Sequence, residues 1–246
     1  MIKLLINLVK IIVAAFIALL LNSCTYKIDL GNDVKGNGKI KTEVRNIAQD
    51  FENIDVSNGI DVVLTQSSNK LVTVETDENI QKHIIIKVEN GTLIIESDED
   101  FNTSSSPKVS VNMPILSKIN SSSSANITAT NTIKSNNIAI DASSASEINM
   151  DIEAENITVE ASSSSAITIN GKAIKLEIDA SSASDVNASK LFANEINVTA
   201  SSSSDVAVYP ILILNAKASS AANISYYKIP KSLKKEENSS GSIDQK

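Results

Sequence analysis

Ile157-Thr158-Val159-Glu160-Ala161-Ser162-Ser163-Ser164-Ser165-Ala166-Ile167-Thr168-Ile169-Asn170 is the stretch whose reading decides the fold. Every second residue, namely Ile157, Val159, Ala161, Ser163, Ser165, Ile167 and Ile169, falls on one face, and the polar Thr158, Glu160, Ser162, Ser164, Thr168 and Asn170 fall on the other with Ala166. Successive side chains of extended chain point to opposite sides, so a period of two is a strand. The inner face is aliphatic at both ends and small in the middle.

The theme recurs at Asn120 to Ile127, Asp141 to Ile148, Glu160 to Ile167, Asp179 to Val186, Thr199 to Val206 and Lys217 to Ile224. Each copy is a run of Ala and Ser, one variable residue and a closing aliphatic. The closing residues Ile127, Ile148, Ile167, Val186, Val206 and Ile224 lie 21, 19, 19, 20 and 18 positions apart. A period near 20 residues is the mark of stacked units, each covering the apolar face of the next. The expected fold is all-β: a single-stranded parallel β-helix, or solenoid, with rungs of about 20 residues.

Stacking at the usual strand spacing of about 4.8 Å turns equivalent positions into ladders. Ile138, Ile157, Leu176, Ile196 and Leu214 form one, and Ile140, Val159, Ile178 and Val198 the next. The Ala and Ser run then reads as a tight corner. Strict alternation places Ser144, Ser163, Ser182 and Ser202 inward, hydrogen-bonded to each other or to turned backbone. Serine-rich composition alone would fit a disordered linker, but a linker has no reason to keep aliphatics in register over five rungs.

Composition agrees with an aliphatic core. The chain of 246 residues is 42% hydrophobic but only 3% aromatic, and it has no Trp. A net charge of −7 opposes phosphate neutralisation, which argues against a nucleic-acid partner. Upstream, Phe51 to Val56, Ile60 to Leu64, Val72 to Val74 and Thr92 to Ile95 are short β-like runs broken at Asn58-Gly59 and Asn90-Gly91. They are expected to cap or continue the solenoid, whose domain is set at 46–228. Residues 229–246, with Lys234-Lys235-Glu236-Glu237 and a Ser-Gly end, read as a solvated, disordered tail.

Residues 1–23 have the layout of a signal peptide: Lys3 and Lys10, the apolar run Ile11 to Leu21, and the small Ser23. Counting back to Leu4 lengthens the apolar run toward that of an uncleaved membrane anchor. Cys24 follows directly and is the only cysteine, so no internal disulfide is possible. Leu21-Asn22-Ser23-Cys24 resembles the bacterial lipoprotein signal, which implies that Cys24 carries lipid and that 24–45 is a tether. The expected location is the cell envelope, lipid-anchored at the outer membrane, with the periplasmic and surface faces both open.

Ser57-Asn58-Gly59-Ile60-Asp61-Val62 with Leu64-Thr65-Gln66, then Val72-Thr73-Val74-Glu75, then Asn90-Gly91-Thr92-Leu93-Ile94-Ile95, resembles the auto-transporter adhesin head GIN domain family of Bacteroidetes-type bacteria. The likeness spans about 45–228. It implies a secreted or lipid-anchored single-stranded β-helix, with adhesion as the analogy from fold.

Catalytic constellations fail. His83 is the only histidine, which leaves multi-histidine metal sites and Cys-His pairs without support, and no Gly-x-Ser-x-Gly elbow accompanies the many serines. No catalytic, cofactor or metal residues are therefore assigned. Asp141, Glu160 and Asp179 stack outward, as do Asp185 and Asp205, and read as solvated columns, with weak cation binding as the alternative. The expected function is a non-enzymatic binding or adhesion module for a glycan or envelope protein. A polysaccharide-processing β-helix enzyme is the alternative.

Overall fold

A computed structural model describes residues 33–246. The strands Ile133–Ala142, Glu147–Ala161, Ala166–Ala180, Asp185–Ala200 and Asp205–Ala218 stack in parallel, each hydrogen-bonded to the next. Each of the last four runs through the second side, the third and the first, whereas in the coil before them Asn126–Ala129 supplies the second side and Ile133–Ala142 the other two. The first side leads into the Ser/Ala corner, the second leaves it, and the third joins second to first. Stacked coils of about 19 residues form a β-solenoid of about seven turns.

The register reproduces the expected ladders. Ile138 pairs with Ile157, then Leu176, Ile196, Leu214 and Leu233 in turn, and Ile140 with Val159, Ile178 and Val198. On the second side Val62, Ile127, Ile148, Ile167, Val186, Val206, Ile224 and Ile243 follow one another. All of this second ladder is buried. Each such aliphatic contributes about 1.5–3 kcal/mol by leaving water.

The corner differs from the alternation argument. Ser163 and Ser164 have φ of 53° and 61°, and the Ser165 N–H donates to the Ser162 carbonyl at 3.2 Å. Two central residues of positive φ closed by that bond make a type I′ turn. The same turn recurs at Ser123-Ser124, Ser144-Ala145, Ser182-Ala183, Ser202-Ser203, Ser220-Ala221 and Ser239-Ser240. Ser144, Ser163, Ser182 and Ser202, expected inward, therefore lie exposed at the turn tips. The inward serines are Ser121, just before the first such turn, and Ser146, Ser165, Ser184 and Ser204, just after the later ones, all buried. A two-residue turn preserves parity, so Ala161 and Ser165 both face in while Ser163 between them leaves the strand.

Left-handed Ser and Ala are strained, and the stack supplies compensation. The Ala145 N–H donates to the Ser163 carbonyl at 3.0 Å and Ser164 to Ser182 at 3.0 Å, so the turn tips form their own ladder. Beneath them the Ser165 Oγ accepts from the Ser162 N–H at 3.2 Å and donates to the Ala142 carbonyl at 2.9 Å. These buried hydroxyls are satisfied without water.

The N-terminal part both continues and caps the stack, in an order different from the chain. Asn53–Val56 and Asp61–Gln66 form a coil that lies between Thr92–Ser97 with Lys108–Met113 on one side and Lys118–Ser121 with Asn126–Ala129 on the other. Leu71–Asp77 runs antiparallel on Lys108–Met113, and Ile40–Arg45 antiparallel on Leu71–Asp77. The expected tether to residue 45 is thus corrected: Ile40–Arg45 is the edge strand of the cap, and Val34–Lys35 pairs with Phe101–Asn102.

The expected tail at 229–246 is corrected as well. Ser232–Glu237 pairs with 213–218, Ser242–Gln245 pairs with Asn223–Tyr226, and Asn238-Ser239-Ser240-Gly241 turns between them. Ile243 is buried beneath Ile224. The charged Lys234 to Glu237 of Ser232–Glu237 suit an edge strand, where charged side chains discourage further pairing.

Candidate interaction surface

The outward residue before each turn forms one column on the first side: Asp55, Asn120, Asp141, Glu160, Asp179, Thr199, Lys217 and Glu236. Its neighbours are one strand spacing apart, about 4.8 Å, so like charges meet unless something separates them. At one end Asn120 Nδ2 donates to Asp55 Oδ1 at 3.0 Å, and Lys118 Nζ lies 2.6 Å from Asp141 Oδ2. At the other end Lys217 meets Glu236 at 3.0 Å. Asp141, Glu160 and Asp179 stand consecutively between them, as the alternation argument expected.

These contacts set the titration. Burial pushes the Asp55 carboxyl above its ordinary value, opposed by the Asn120 hydrogen bond. The hydrogen bond to Asp141 raises the Lys118 ammonium, with Glu160 and Asp55 adding to it. The hydrogen bond from Lys217 holds Glu236 low. Asn120, Asp141, Glu160 and Asp179 of this column, with the serines beside them, Ser143, Ser162 and Ser181, line an open groove of about 370 Å³. A second groove of about 430 Å³ on the same side carries Asn137, Ala139, Asn156 and Thr158, where Asn156 Nδ2 donates to Asn137 Oδ1 at 2.9 Å.

On the second side Asp185 and Asp205 are register neighbours, also as expected. Burial raises the Asp185 carboxyl, and the Asp205 charge raises it further. Asp205 has a partner of its own, since Asn223 Nδ2 donates to Oδ1 at 2.8 Å.

His83 ends the 3-10 turn Gln81–His83 in the cap, with Nδ1 2.9 Å from Asp98 Oδ1. It stands apart from the grooves. Among the described residues no three His, Cys, Asp or Glu side chains gather as a metal site requires. Cys24 and the expected signal segment lie outside the described residues.

One surface feature escaped the sequence reading. Lys172, Phe192 and Tyr209 share a column on the third side, with the rings of Phe192 and Tyr209 edge to face at 4.8 Å. The register slips between Ala188 and Phe192, so linear spacing does not align these residues. The usable signal was the concentration of scarce aromatics after residue 190.

Fold and surface together define a parallel β-solenoid with polar ladders along two sides. The chain belongs to the family described as "Putative auto-transporter adhesin, head GIN domain", whose profile matches residues 50–230. Among solved structures, a protein described as a "putative adhesin" from Bacteroides fragilis NCTC 9343 is similar, with a TM-score of 0.81 at 16% identity, over 87% of this chain and 100% of that one. A "putative adhesin" from Parabacteroides merdae ATCC 43184 matches with a TM-score of 0.72 at 21% identity, over 87% and 99%. A "putative lipid binding protein" from Parabacteroides distasonis ATCC 8503 matches with a TM-score of 0.72 at 22% identity, over 87% and 99%. At these identities the likeness is one of fold. A search of curated proteins finds no match.

Proposed function

We propose that this protein is a lipid-anchored module of the cell envelope, at the outer membrane, that binds an extended glycan or an envelope protein without catalysis. The observation that carries this reading is the first side: carboxylates, amides and hydroxyls repeat at one strand spacing across successive coils and line open grooves. Such a surface offers an extended partner many equivalent hydrogen bonds. Membership of an adhesin family supports a binding role and a place in the envelope. The lipid rests on Leu21-Asn22-Ser23-Cys24.

The enzymatic reading is weaker because glycoside hydrolysis needs two carboxyl groups on opposite sides of the scissile bond. Asp141, Glu160 and Asp179 stand in a row along one wall. A glycan array and an envelope pull-down with the chain from Thr25 onward test the proposal. Binding weakened by Glu160→Lys, at unchanged melting temperature, is expected. Release of new reducing ends from any polysaccharide would overturn the reading.

A further inference from the structure

The third side of the last coils departs from the polar character of the rest. Ile174, Phe192, Tyr227 and Ile229 are 55%, 49%, 47% and 64% exposed, with Tyr209 and Ile211 half-buried among them. The chain has four Phe and four Tyr. Two of these eight, Phe192 and Tyr209, stand in one column, and Tyr227 comes directly after the Val208–Tyr226 pair on the next coil, with its N–H on the Val208 carbonyl at 3.0 Å. Beside them runs a groove of about 490 Å³ lined by Ile174, Phe192 and Ile211, with Glu153, Glu155 and Lys172 at its polar edge. Contiguous exposed apolar surface of this kind marks an interaction site.

The charges around it are mixed: Glu153 and Glu155 line the groove, with Glu153 3.2 Å from Lys172, while the coils beyond it carry lysines. Lys190, Lys228 and Lys231 are exposed, and none takes part in an ion pair among the described residues, although the chain as a whole carries −7. Lys190 shares the outward parity of Phe192 on the same strand, and Lys228 and Lys231 flank Ile229 in the 227–231 connection.

We propose that this third side docks onto an anionic lipid bilayer. Exposed Ile and Phe enter the interfacial region, Tyr sits at headgroup level, and long lysine side chains reach the phosphates. A sugar gains nothing from Ile174 and Ile229. The Phe192 and Tyr209 rings, 88° apart, also do not form the coplanar platforms on which successive sugars stack. Docking in this way turns the first and second sides, with their polar columns, away from the lipid. The inference is independent of the lipid on Cys24 and goes beyond the binding role of the first side.

Vesicle flotation with the chain from Thr25 onward tests it. That chain holds the described core, since among the described residues every buried apolar one lies between Phe51 and Ile243. Vesicles of phosphatidylcholine mixed with phosphatidylglycerol should carry the protein up the gradient. High salt should release it, and phosphatidylcholine alone should carry little. Each lysine near such a surface is worth about fivefold in affinity, so Lys228→Glu with Ile229→Ser and Lys231→Glu should weaken binding at least about tenfold at unchanged melting temperature. Ile40→Ser, at an aliphatic on the cap that is also more than half exposed, should leave binding unchanged. Failure to float with anionic vesicles, equal flotation of the triple variant, or equal binding to neutral vesicles would overturn the proposal. Self-association of the parent chain lost in the variant would assign this face to a second copy. Retention on a soluble anionic polysaccharide without vesicle binding would assign it to that polymer.

Discussion

Replacing Ser163-Ser164 by Asn-Gly should raise the stability of the protein, although it removes two residues of the repeat and adds no contact. Both positions have positive φ, 53° and 61°, where an L-residue costs about 1–2 kcal/mol. Neither hydroxyl makes a hydrogen bond that the replacement would lose, and both side chains are exposed. Gly at 164 removes most of that cost, less about 0.5–1 kcal/mol for the greater freedom of Gly in the unfolded chain. Asn tolerates the left-handed region better than Ser, which adds a few tenths. The net gain is about 1 kcal/mol, or about 2–4 °C in Tm for a domain of this size. The chain already uses the pair where it turns at Asn58-Gly59 and Asn90-Gly91. Ser163→Val should move the other way by about 2 kcal/mol, since a β-branched side chain is excluded from this region. Calorimetry of the three proteins decides the matter. An Asn-Gly variant that melts at or below the parent, or a Val variant that melts with it, would refute the assignment of strain to these turns.

Ile167→Asp buries a carboxylate between Ile148 and Val186 and should cost several kcal/mol, whereas Ser163→Asp at the turn tip should stay within about 0.5 kcal/mol; equal thermal shifts would refute the placement of the two side chains. Asp185→Asn should stabilise at neutral pH. Its folded carboxyl is raised by burial and by Asp205, so the native state binds the proton more tightly and the parent loses stability as pH rises through that raised value. The advantage of Asn should therefore fade in melting curves taken at falling pH, and an advantage that grows on acidification would contradict the cause given. Mass spectrometry of the mature N-terminus should find acyl chains on Cys24, and an unmodified terminus elsewhere would remove the anchor.

The inward ladders could be read before any coordinates because their periodicity is carried by bulk and polarity alone. From Ile138 to Leu214 one aliphatic falls at every rung, and the structure pairs them in that order. The corner was legible as a corner but not in its geometry. Ser-Ser is an unusual pair for a type I′ turn, and the alternation passes through the turn unbroken, which hides Ser163 leaving the strand. At the C-terminus Lys234 to Glu237 resembled a solvated tail because an end strand carries charges, yet Asn238-Ser239-Ser240-Gly241 held the same four-residue turn as the rungs before it. Chain order gives no sign that the coil of residues 53–66 lies between two later segments. The acidic columns of the candidate surface followed from parity, whereas the aromatic column depended on a register slip that spacing alone does not encode.

The most direct test of the account removes one coil. If each coil rests only on its neighbours, stability is a sum of nearest-neighbour terms, and deleting the 19 residues Ile157 to Lys175 leaves a shorter stack in which Leu176 takes the place of Ile157 against Ile138. Deleting only the nine residues 157–165 joins strands out of register and turns inward side chains outward. Circular dichroism with protease resistance on both proteins should show a folded, cooperative β-structure for the whole-coil deletion and a disrupted one for the half-coil deletion. A half-coil deletion as well folded as the whole-coil one would contradict the stack.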